Sequence, residues 1–424
     1  MIKLLVIADD FTGAMDTGVQ FKAKGTLIQI ASEKCLETLK KTDCDLQVLI
    51  VDAETRHMTA QNAYQTVYQI VQAAVAAGVP CIYKKTDSGL RGNIGSELTA
   101  VLDASGKKQL HFIPAFPLIN RITVNGVHYI DGEPVAQSVF GKDPFEPVHS
   151  SKVKEIVRSQ SEMQTHLMGS AVPEVLPEGI LVYDSATDED LKQIAQSLKA
   201  QGELKLLAGC AGFASVLPEL LDLDQTEPQF PPIPQKLLVI CGSINPITLR
   251  QLDEAQNAGA LRIQLAPEQK LDDSWLTSPD GLRVTAEWMT RLKDAPLAMV
   301  EGNQTGAEDA TASCASRMGM SLEQVRAQIS RTMGGVLERL LSLGLEATVL
   351  VTGGDTLLAF MQRVGLDKLI PLGELAPGVV LSQIEYRRKK YAILSKSGGF
   401  GSDRLLLDLK EKLSLQKLEE EEVC

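Results

Sequence analysis

Three groups of residues carry the types and spacing that chemistry needs. The first is Asp9-Asp10-Phe11-Thr12-Gly13, directly after the apolar run at residues 2–8. The second is Lys84-Lys85-Thr86-Asp87, after Cys81-Ile82-Tyr83, joined by Arg56 behind the run that ends at Asp52. Arginine suits bidentate recognition of carboxylate or phosphate, lysine acts as a compact point charge, and carboxylates accept from vicinal hydroxyls. Two adjacent lysines at the end of a buried strand are costly without an anion, so Lys84, Lys85, Thr86 and Asp87 read as a ligand site. Arg91 and Arg121, taken singly, read instead as surface ion pairs of little energetic weight. The third group is a set of Gly/Ser/Thr turns: Gly242-Ser243, Gly353-Gly354-Asp355-Thr356 and Ser397-Gly398-Gly399-Phe400-Gly401. Glycine lets backbone approach a ligand, and a helix start offers unpaired N–H groups, so converging turns of this kind make a phosphate cradle. Together the sets suit a small polyhydroxylated acid in the first half of the chain and a phosphate donor in the second.

These residues need strands to deliver them. Apolar runs of strand length end at Ala8, Asp52, Tyr83, Ile113, Tyr183 and Gly209, and helical patterns fall between them. In open α/β sheets ligands sit outside the carboxyl ends of strands, which is where Asp9 and Asp10 fall. One of the two can cap the following helix; the reading assigns the turn or cap to Asp9 and acceptance of substrate hydroxyls to Asp10. Residues 114–147, rich in Gly, Pro, Asn and Asp, predict hairpins or an extended excursion. Residues 223–235 hold four prolines in Pro228, Pro231, Pro232 and Pro234 and read as a semi-rigid linker. The expected organisation is therefore a substrate domain at residues 1–222, the linker at 223–235, and a nucleotide-binding domain at 236–424. The sheet restarts with residues 236–241 and continues at 298–300, 348–351 and 391–394. The fold class is α/β, each domain a mostly parallel sheet flanked by helices.

Composition excludes several alternatives. With 424 residues, 42 Lys+Arg against 54 Asp+Glu and a net charge of −12, the chain lacks the basic stripe of a nucleic-acid binder. No apolar run reaches membrane-spanning length, and the opening apolar run flows into acid rather than a cleavage site. The 7 cysteines have no CxxC spacing, which points to reduced thiols in a cytoplasm, and the 5 histidines no HxxxH or HxH spacing. No metal ligand set is assigned. Neither GxxxxGK[ST], GxGxxG nor GxSxG occurs, which argues against a P-loop, a nicotinamide dehydrogenase and an α/β-hydrolase.

Ala8-Asp9-Asp10-Phe11-Thr12-Gly13-Ala14, Lys84-Lys85-Thr86-Asp87-Ser88, Leu90-Arg91-Gly92-Asn93, Gly353-Gly354-Asp355-Thr356 and Lys396-Ser397-Gly398-Gly399-Phe400-Gly401 together resemble the four-carbon acid sugar kinase family. The resemblance spans almost the whole chain. It implies two α/β domains, with acid and ATP meeting in the cleft between them, and transfer of phosphate from ATP to the 4-hydroxyl of threonate, erythronate or 3-oxo-tetronate. It implies substrate contacts at Asp10, Arg56, Lys84, Lys85, Thr86 and Asp87. Nucleotide contacts are implied at Ser243, Gly353, Gly354, Asp355, Thr356 and Gly399. The overall look is nearest the D-threonate kinases. Departures occur where Ser-Thr-Leu-Arg-Gly is usual and Ser88-Gly89-Leu90-Arg91-Gly92 stands here, at Asn120-Arg121-Ile122-Thr123, and at Gly209-Cys210-Ala211-Gly212-Phe213; they bear on which acid is used. Mg²⁺ would offset charge on the phosphoryl oxygens, and Asp87 or Asp355 would accept or orient the hydroxyl proton. A non-catalytic sugar-acid or nucleotide sensor would share the architecture, L-threonate and 3-oxo-tetronate are alternative substrates, and a homo-oligomer is compatible with the chain.

Overall fold

The computed structural model describes residues 2–21, 25–31, 33–39, 45–143, 145–224, 233–302 and 310–422. The chain divides into two compact units, Met1–Glu227 and Pro228–Cys424. Most of the expected proline linker, residues 225–232, lies outside the described residues.

The first unit is built on strands β1 (Leu4–Ala8), β2 (Thr26–Ile30), β3 (Val48–Asp52), β4 (Cys81–Lys85), β5 (Gln109–Ile113), β9 (Thr165–Gly169), β10 (Gly179–Tyr183) and β11 (Leu206–Gly209). Their order is β2-β3-β1-β4-β11-β5-β10-β9, all parallel. Strands β6 (Arg121–Val124), β7 (Val127–Ile130) and β8 (Glu133–Pro134) form a separate antiparallel sheet, the hairpin expected in residues 114–147. Leu4, Leu5, Val6 and Ile7 are all 0% exposed. Helices cover both faces of a parallel sheet, so such a strand is apolar throughout; each of these side chains contributes roughly 1.5–3 kcal/mol by burial. Helix α1 (Phe11–Gly18) follows β1, α2 (Ala60–Ala76) follows β3, and α3 (Ile94–Ser105) follows β4. In α2 the buried positions Ala63, Val67, Ile70, Val71 and Ala74 recur at helical spacing, and Thr59 caps the start by accepting from the Asn62 amide.

Strand β4 runs through Lys85, two residues beyond the apolar run that announces it, so both lysines belong to the strand and not to a loop. Strands β2 and β9 were not anticipated. Leu27 and Gln29 alternate too briefly, and Thr165–Gly169 carries His166 and Met168 on a half-covered edge.

In the second unit, β12 (Leu237–Cys241), β13 (Leu261–Gln264), β14 (Leu297–Glu301), β15 (Thr348–Thr352), β16 (Lys368–Ala376), β17 (Val379–Tyr386) and β18 (Lys389–Lys396) take the order β13-β14-β12-β15-β18-β17-β16. The first five run parallel, and β17 joins β16 and β18 by antiparallel pairing. Helices α4 (Pro246–Asn257), α5 (Leu322–Ser342) and α6 (Gly354–Arg363) follow β12, precede β15 and follow β15. The core gathers Leu237, Val239, Leu350, Leu381 and Leu394 from the sheet with Leu406 and Leu409 from the last helix.

Candidate functional site

Parallel register brings the carboxyl ends of β3, β1 and β4 to one edge: Ala8 stands opposite both Asp52 and Lys85. The chain leaving each strand there supplies Asp9 and Asp10, Arg56, and Asp87. Arg56 is the hub. Its Nε donates to Asp9 Oδ2 at 2.8 Å, its Nη1 to Asp10 Oδ2 at 2.7 Å, and its Nη2 lies 3.5 Å from Asp87 Oδ1. Asn93 Nδ2 donates to the carbonyls of Thr55 at 2.8 Å and Met58 at 2.9 Å, which holds the Arg56 loop against the start of α3.

Asp10, and not Asp9, is the helix cap. Its Oδ1 accepts from the Gly13 amide at 2.8 Å, in extended backbone before α1. Asp9 is 2% exposed and lies beneath it. Burial alone would raise the Asp9 pKa, but Arg56, Lys85 and Lys84 outweigh that and hold it below the ordinary carboxylate range. The expected division of labour is thus reversed in part: Asp10 keeps the more exposed carboxylate, yet also caps the start of the helix.

Lys84 and Lys85 do not act together. Successive strand side chains point to opposite faces. Lys84 is 0% exposed and turns to Glu97 on α3, with Nζ 2.8 Å from Oε2 and bonds to the carbonyls of Ile7 and Lys85 at 3.2 and 2.7 Å. The expectation that Lys84 touches substrate is corrected: strand alternation places it inside the fold. Lys85 Nζ faces the other way, 3.9 Å from Asp9 Oδ1. A β-carbon at Gly13 would lie 2.5 Å from that Nζ, so glycine there makes room for the ammonium. Thr86 is fully buried, its amide donating to Gly209 O at 2.8 Å.

Asp87 is gripped by Arg91, with Oδ2 accepting from Nε and Oδ1 from Nη2, each at 2.9 Å. Its Oδ2 also accepts from the Gly89 amide at 3.1 Å. Burial would raise its pKa; Arg91 and Arg56 overcome this and hold it well below the ordinary value. A carboxylate so held is a weak proton acceptor. Arg91 and Arg121, read from sequence as surface ion pairs, belong to this same cluster. Both guanidinium carbons stand 5.0 Å from the centroid of the Phe140 ring. The signal that could have found them was Leu90-Arg91-Gly92-Asn93, in which Leu90 at φ +61 and Gly92 at φ +82 turn the chain back on itself.

In the second unit the three glycine turns meet. A β-carbon at Gly242 would collide with Thr356 Oγ1, one at Gly398 would lie 2.8 Å from Ser243 Oγ, and one at Gly353 would stand 3.9 Å from the Ser243 amide nitrogen. At Gly399 the nearest such neighbour is Asn245 Nδ2, at 3.9 Å. Gly353 sits at φ +96, a conformation that glycine adopts without strain, directly before α6. Ser243, Gly353, Thr356 and Gly399 are thereby brought to one place, with Gly354 and Asp355 in the first turn of α6. Asp355 is half-exposed, and Arg326 Nε lies 3.6 Å from its Oδ2. Space bounded by backbone and small hydroxyls at a helix start fits a phosphate chain.

Lys396 has a role that the sequence pattern does not indicate. It ends β18 buried, its Nζ donating to Thr248 Oγ1 at 3.1 Å and to the carbonyls of Ser397 and Gly398 at 2.9 and 3.2 Å. Burial pushes its pKa down to about 8. With Gln251, which donates to Phe400 O at 3.0 Å and Ser402 O at 2.9 Å, it holds the glycine turn in shape.

Among the described residues no helix is long and apolar enough to cross a membrane, and no group of three or more His, Cys, Asp or Glu side chains could hold a metal ion. Residues 4–217 match the family described as a sugar-binding N-terminal domain, and residues 238–406 the nucleotide-binding C-terminal domain. The chain is 30% identical to a D-threonate kinase of Salmonella typhimurium, over 96% of this chain and 97% of the relative. It is 28% identical to a D-erythronate kinase of Heliobacterium modesticaldum, over 88% and 89%. A 3-oxo-tetronate kinase of Brucella melitensis is 24% identical, over 96% and 95%. The solved structure of a Haemophilus influenzae protein of uncharacterised family shares the fold, with TM-score 0.70 and 20% identity over 96% of this chain and 99% of that one. Two matched domains in this order, along nearly the full chain, place it: the protein belongs to the four-carbon acid sugar kinase family.

Proposed function

We propose that the protein transfers the γ-phosphoryl group of ATP to the 4-hydroxyl of a four-carbon sugar acid, D-threonate before D-erythronate. The acid is assigned to residues 1–222 and the nucleotide to residues 236–424, in the cytoplasm where ATP is abundant. The observation that carries this reading is Lys85. It is an ammonium 5% exposed whose nearest ion pair among the described residues is 3.9 Å long, held above the Gly13 gap beside Asp10. A buried cation so lightly compensated suits an anionic ligand, and the neighbouring Asp10 carboxylate suits its hydroxyls. The identity to a D-threonate kinase supports the choice of acid.

In the reaction the 4-hydroxyl oxygen forms a bond to Pγ, the bond from Pγ to the β,γ-bridging oxygen breaks, ADP leaves, and the hydroxyl proton passes to solvent or a carboxylate. Such transfer is mostly positioning and charge neutralisation. Asp10 orients the acid, and Lys85 offsets its charge. Asp87, with its depressed pKa, fixes Arg91 and Arg56 and does not serve as a strong base. Ser243, Gly353, Gly354, Thr356 and Gly399 hold the phosphate chain. Mg²⁺ arriving with the nucleotide needs one or two protein carboxylates, and Asp355 in the first turn of α6 is the residue that would reach it; bound there it would neutralise phosphate charge.

The test is ADP release by the purified protein with MgATP and a panel of D-threonate, L-threonate, D-erythronate and 3-oxo-tetronate. ADP should form only with acid present, with the highest kcat/KM for D-threonate. Absence of acid-dependent ADP release across the panel would overturn the reading.

A further inference from the structure

We propose that Arg121 receives the carboxylate of the substrate, a specificity role that rests on the sugar-acid kinase reading above. The cations at this edge are unequally occupied. Arg56 turns its Nε, Nη1 and Nη2 to Asp9, Asp10 and Asp87. Arg91 gives Nε and Nη2 to Asp87 and Nη1 to Asp143 at 3.1 Å. Arg121 has no carboxylate within salt-bridge reach among the described residues. Its Nη1 donates to Ser88 Oγ and its guanidinium lies over the Phe140 ring, while Asp87 and Asp131 act on its charge only from beyond ion-pair distance. A ring face orders a guanidinium without neutralising it.

The residues around Arg121 fix it in that state. Its backbone pairs with Phe116 through bonds of 2.6 and 3.1 Å at the start of β6. Ser88 is held in turn by His128, whose Nε2 stands 2.9 Å from Ser88 O while its Nδ1 faces Thr123 Oγ1 at 2.9 Å. Burial pushes the His128 pKa down to about 4, so the ring is neutral and donates from Nε2. Phe140 reaches the site because residue 89 is glycine: a β-carbon there would lie 2.7 Å from the ring. Arg121 also shares the Lys85 end of the sheet. Burial raises the Cys210 thiol pKa, and Lys85 and Arg121 both pull it back. Through Ser88, three residues past Lys85, Arg121 stands by the same strand end, and of these two cations only Arg121 is a planar fork matched to a carboxylate. A guanidinium ordered in advance loses little side-chain freedom when the acid binds.

The substitution R121Q keeps hydrogen-bonding capacity and removes the charge. The readouts are the KM of D-threonate, the Ki of neutral D-threonamide as a competitive inhibitor, the KM of ATP and the melting temperature. The expected result is an acid KM raised about 100-fold, with the amide Ki and ATP KM changed less than about threefold, and R121K between the two. An acid KM within about threefold of wild type, or acid and amide weakened alike, would overturn the proposal. If R121Q fails to fold, R121K and F140L decide by the same ratio of acid to amide. Failure of the kinase reading itself looks different: the wild type then shows no acid-dependent ADP release at all.

Discussion

The ammonium of Lys85 occupies space that a β-carbon on Gly13 would claim, at 2.5 Å, and the same β-carbon would stand 2.6 Å from Asp10 Oδ1. One residue without a side chain therefore sets the spacing between the cation and the helix-capping carboxylate. Lys85 ends in a movable amine, so a methyl group at position 13 displaces the ammonium more readily than it disrupts the sheet. Gly13→Ala should raise the KM for the acid about tenfold or more, a shift of roughly 1.4 kcal/mol, while the KM for ATP stays within about twofold. Steady-state kinetics in both substrates would show it. Equal changes in the two constants would mean that the turn only supports the fold.

Lys84 and Glu97 form a buried pair with side chains 0% and 1% exposed. Removing one partner leaves an uncompensated charge, whereas replacing both with apolar side chains does not. Lys84→Met should destabilise the protein by about 3–5 kcal/mol, and the double change Lys84→Met, Glu97→Leu should recover most of that. Urea unfolding of the two variants and wild type measures the difference. Recovery of stability should bring back near-normal acid KM, which a substrate-touching Lys84 would forbid.

Asp52 is 0% exposed at the end of β3, and burial, followed by the nearby Glu54 and Asp10 carboxylates, raises its pKa well above the ordinary value. The stabilising protonated form is complete below the unfolded pKa of about 3.9 and is lost as pH rises through the raised folded value. Asp52→Asn keeps a neutral acceptor for the Glu54 amide and removes the titration. Its melting temperature relative to wild type should increase from pH 5 to pH 8. Asp9 and Asp87 are shifted downward, so their contribution is lost as pH falls below about 4 and leaves this window untouched. A variant that loses ground with rising pH would contradict the prediction.

Lys396 supplies a second pH effect, in the nucleotide half. Its pKa is lowered to about 8, and the charged amine bonds Thr248, Ser397 and Gly398. Above that pH the amine loses one donor and its charge, and the Ser397–Gly401 turn loosens. The KM for ATP should rise between pH 7 and pH 9.5 in wild type, with the acid KM following less. In Lys396→Met it should be high at every pH. A flat profile in wild type would show that the turn does not depend on the charge.

Most of the fold was legible because buried parallel strands are written as continuous apolar runs. β1, β3 and β10 are 5-residue strands buried throughout, and the apolar runs mark each to within two residues of its bounds. Strand β4 was read short because its last residues are lysines, and no apolar pattern predicts a fully buried amine. The partner that makes the burial of Lys84 tolerable, Glu97, lies on the next helix, outside any pattern the strand itself shows. Alternation alone would have parted the two lysines, had the strand been extended to include them. Arg91 and Arg121 were underestimated for a related reason. Each looks isolated along the chain, and only the approach of Phe140 over Gly89 makes them neighbours. In the second unit, convergence of the glycine turns followed from strand ends sharing one edge, while Lys396 was hidden by standing beside residues already understood as a turn.

Asp10, Arg56, Asp87, Arg91 and Asp143 form a run of alternating charge whose members come from four separate stretches of chain, Asp87 and Arg91 sharing one. Two stretches are repulsive by themselves, Asp9 beside Asp10 and Lys84 beside Lys85, whereas Asp87 and Arg91 pair locally. Asp9 and Asp10 meet Arg56 only when β1 and β3 have settled into register. This couples the order of assembly to competence. A chain with β1 slipped against β3 leaves Asp9 and Asp10 without Arg56, even where the Asp87–Arg91 pair has formed. Acid binding is in that sense a report on the maturity of the whole sheet, and a trapped folding intermediate should be blind to substrate even where its helices are complete.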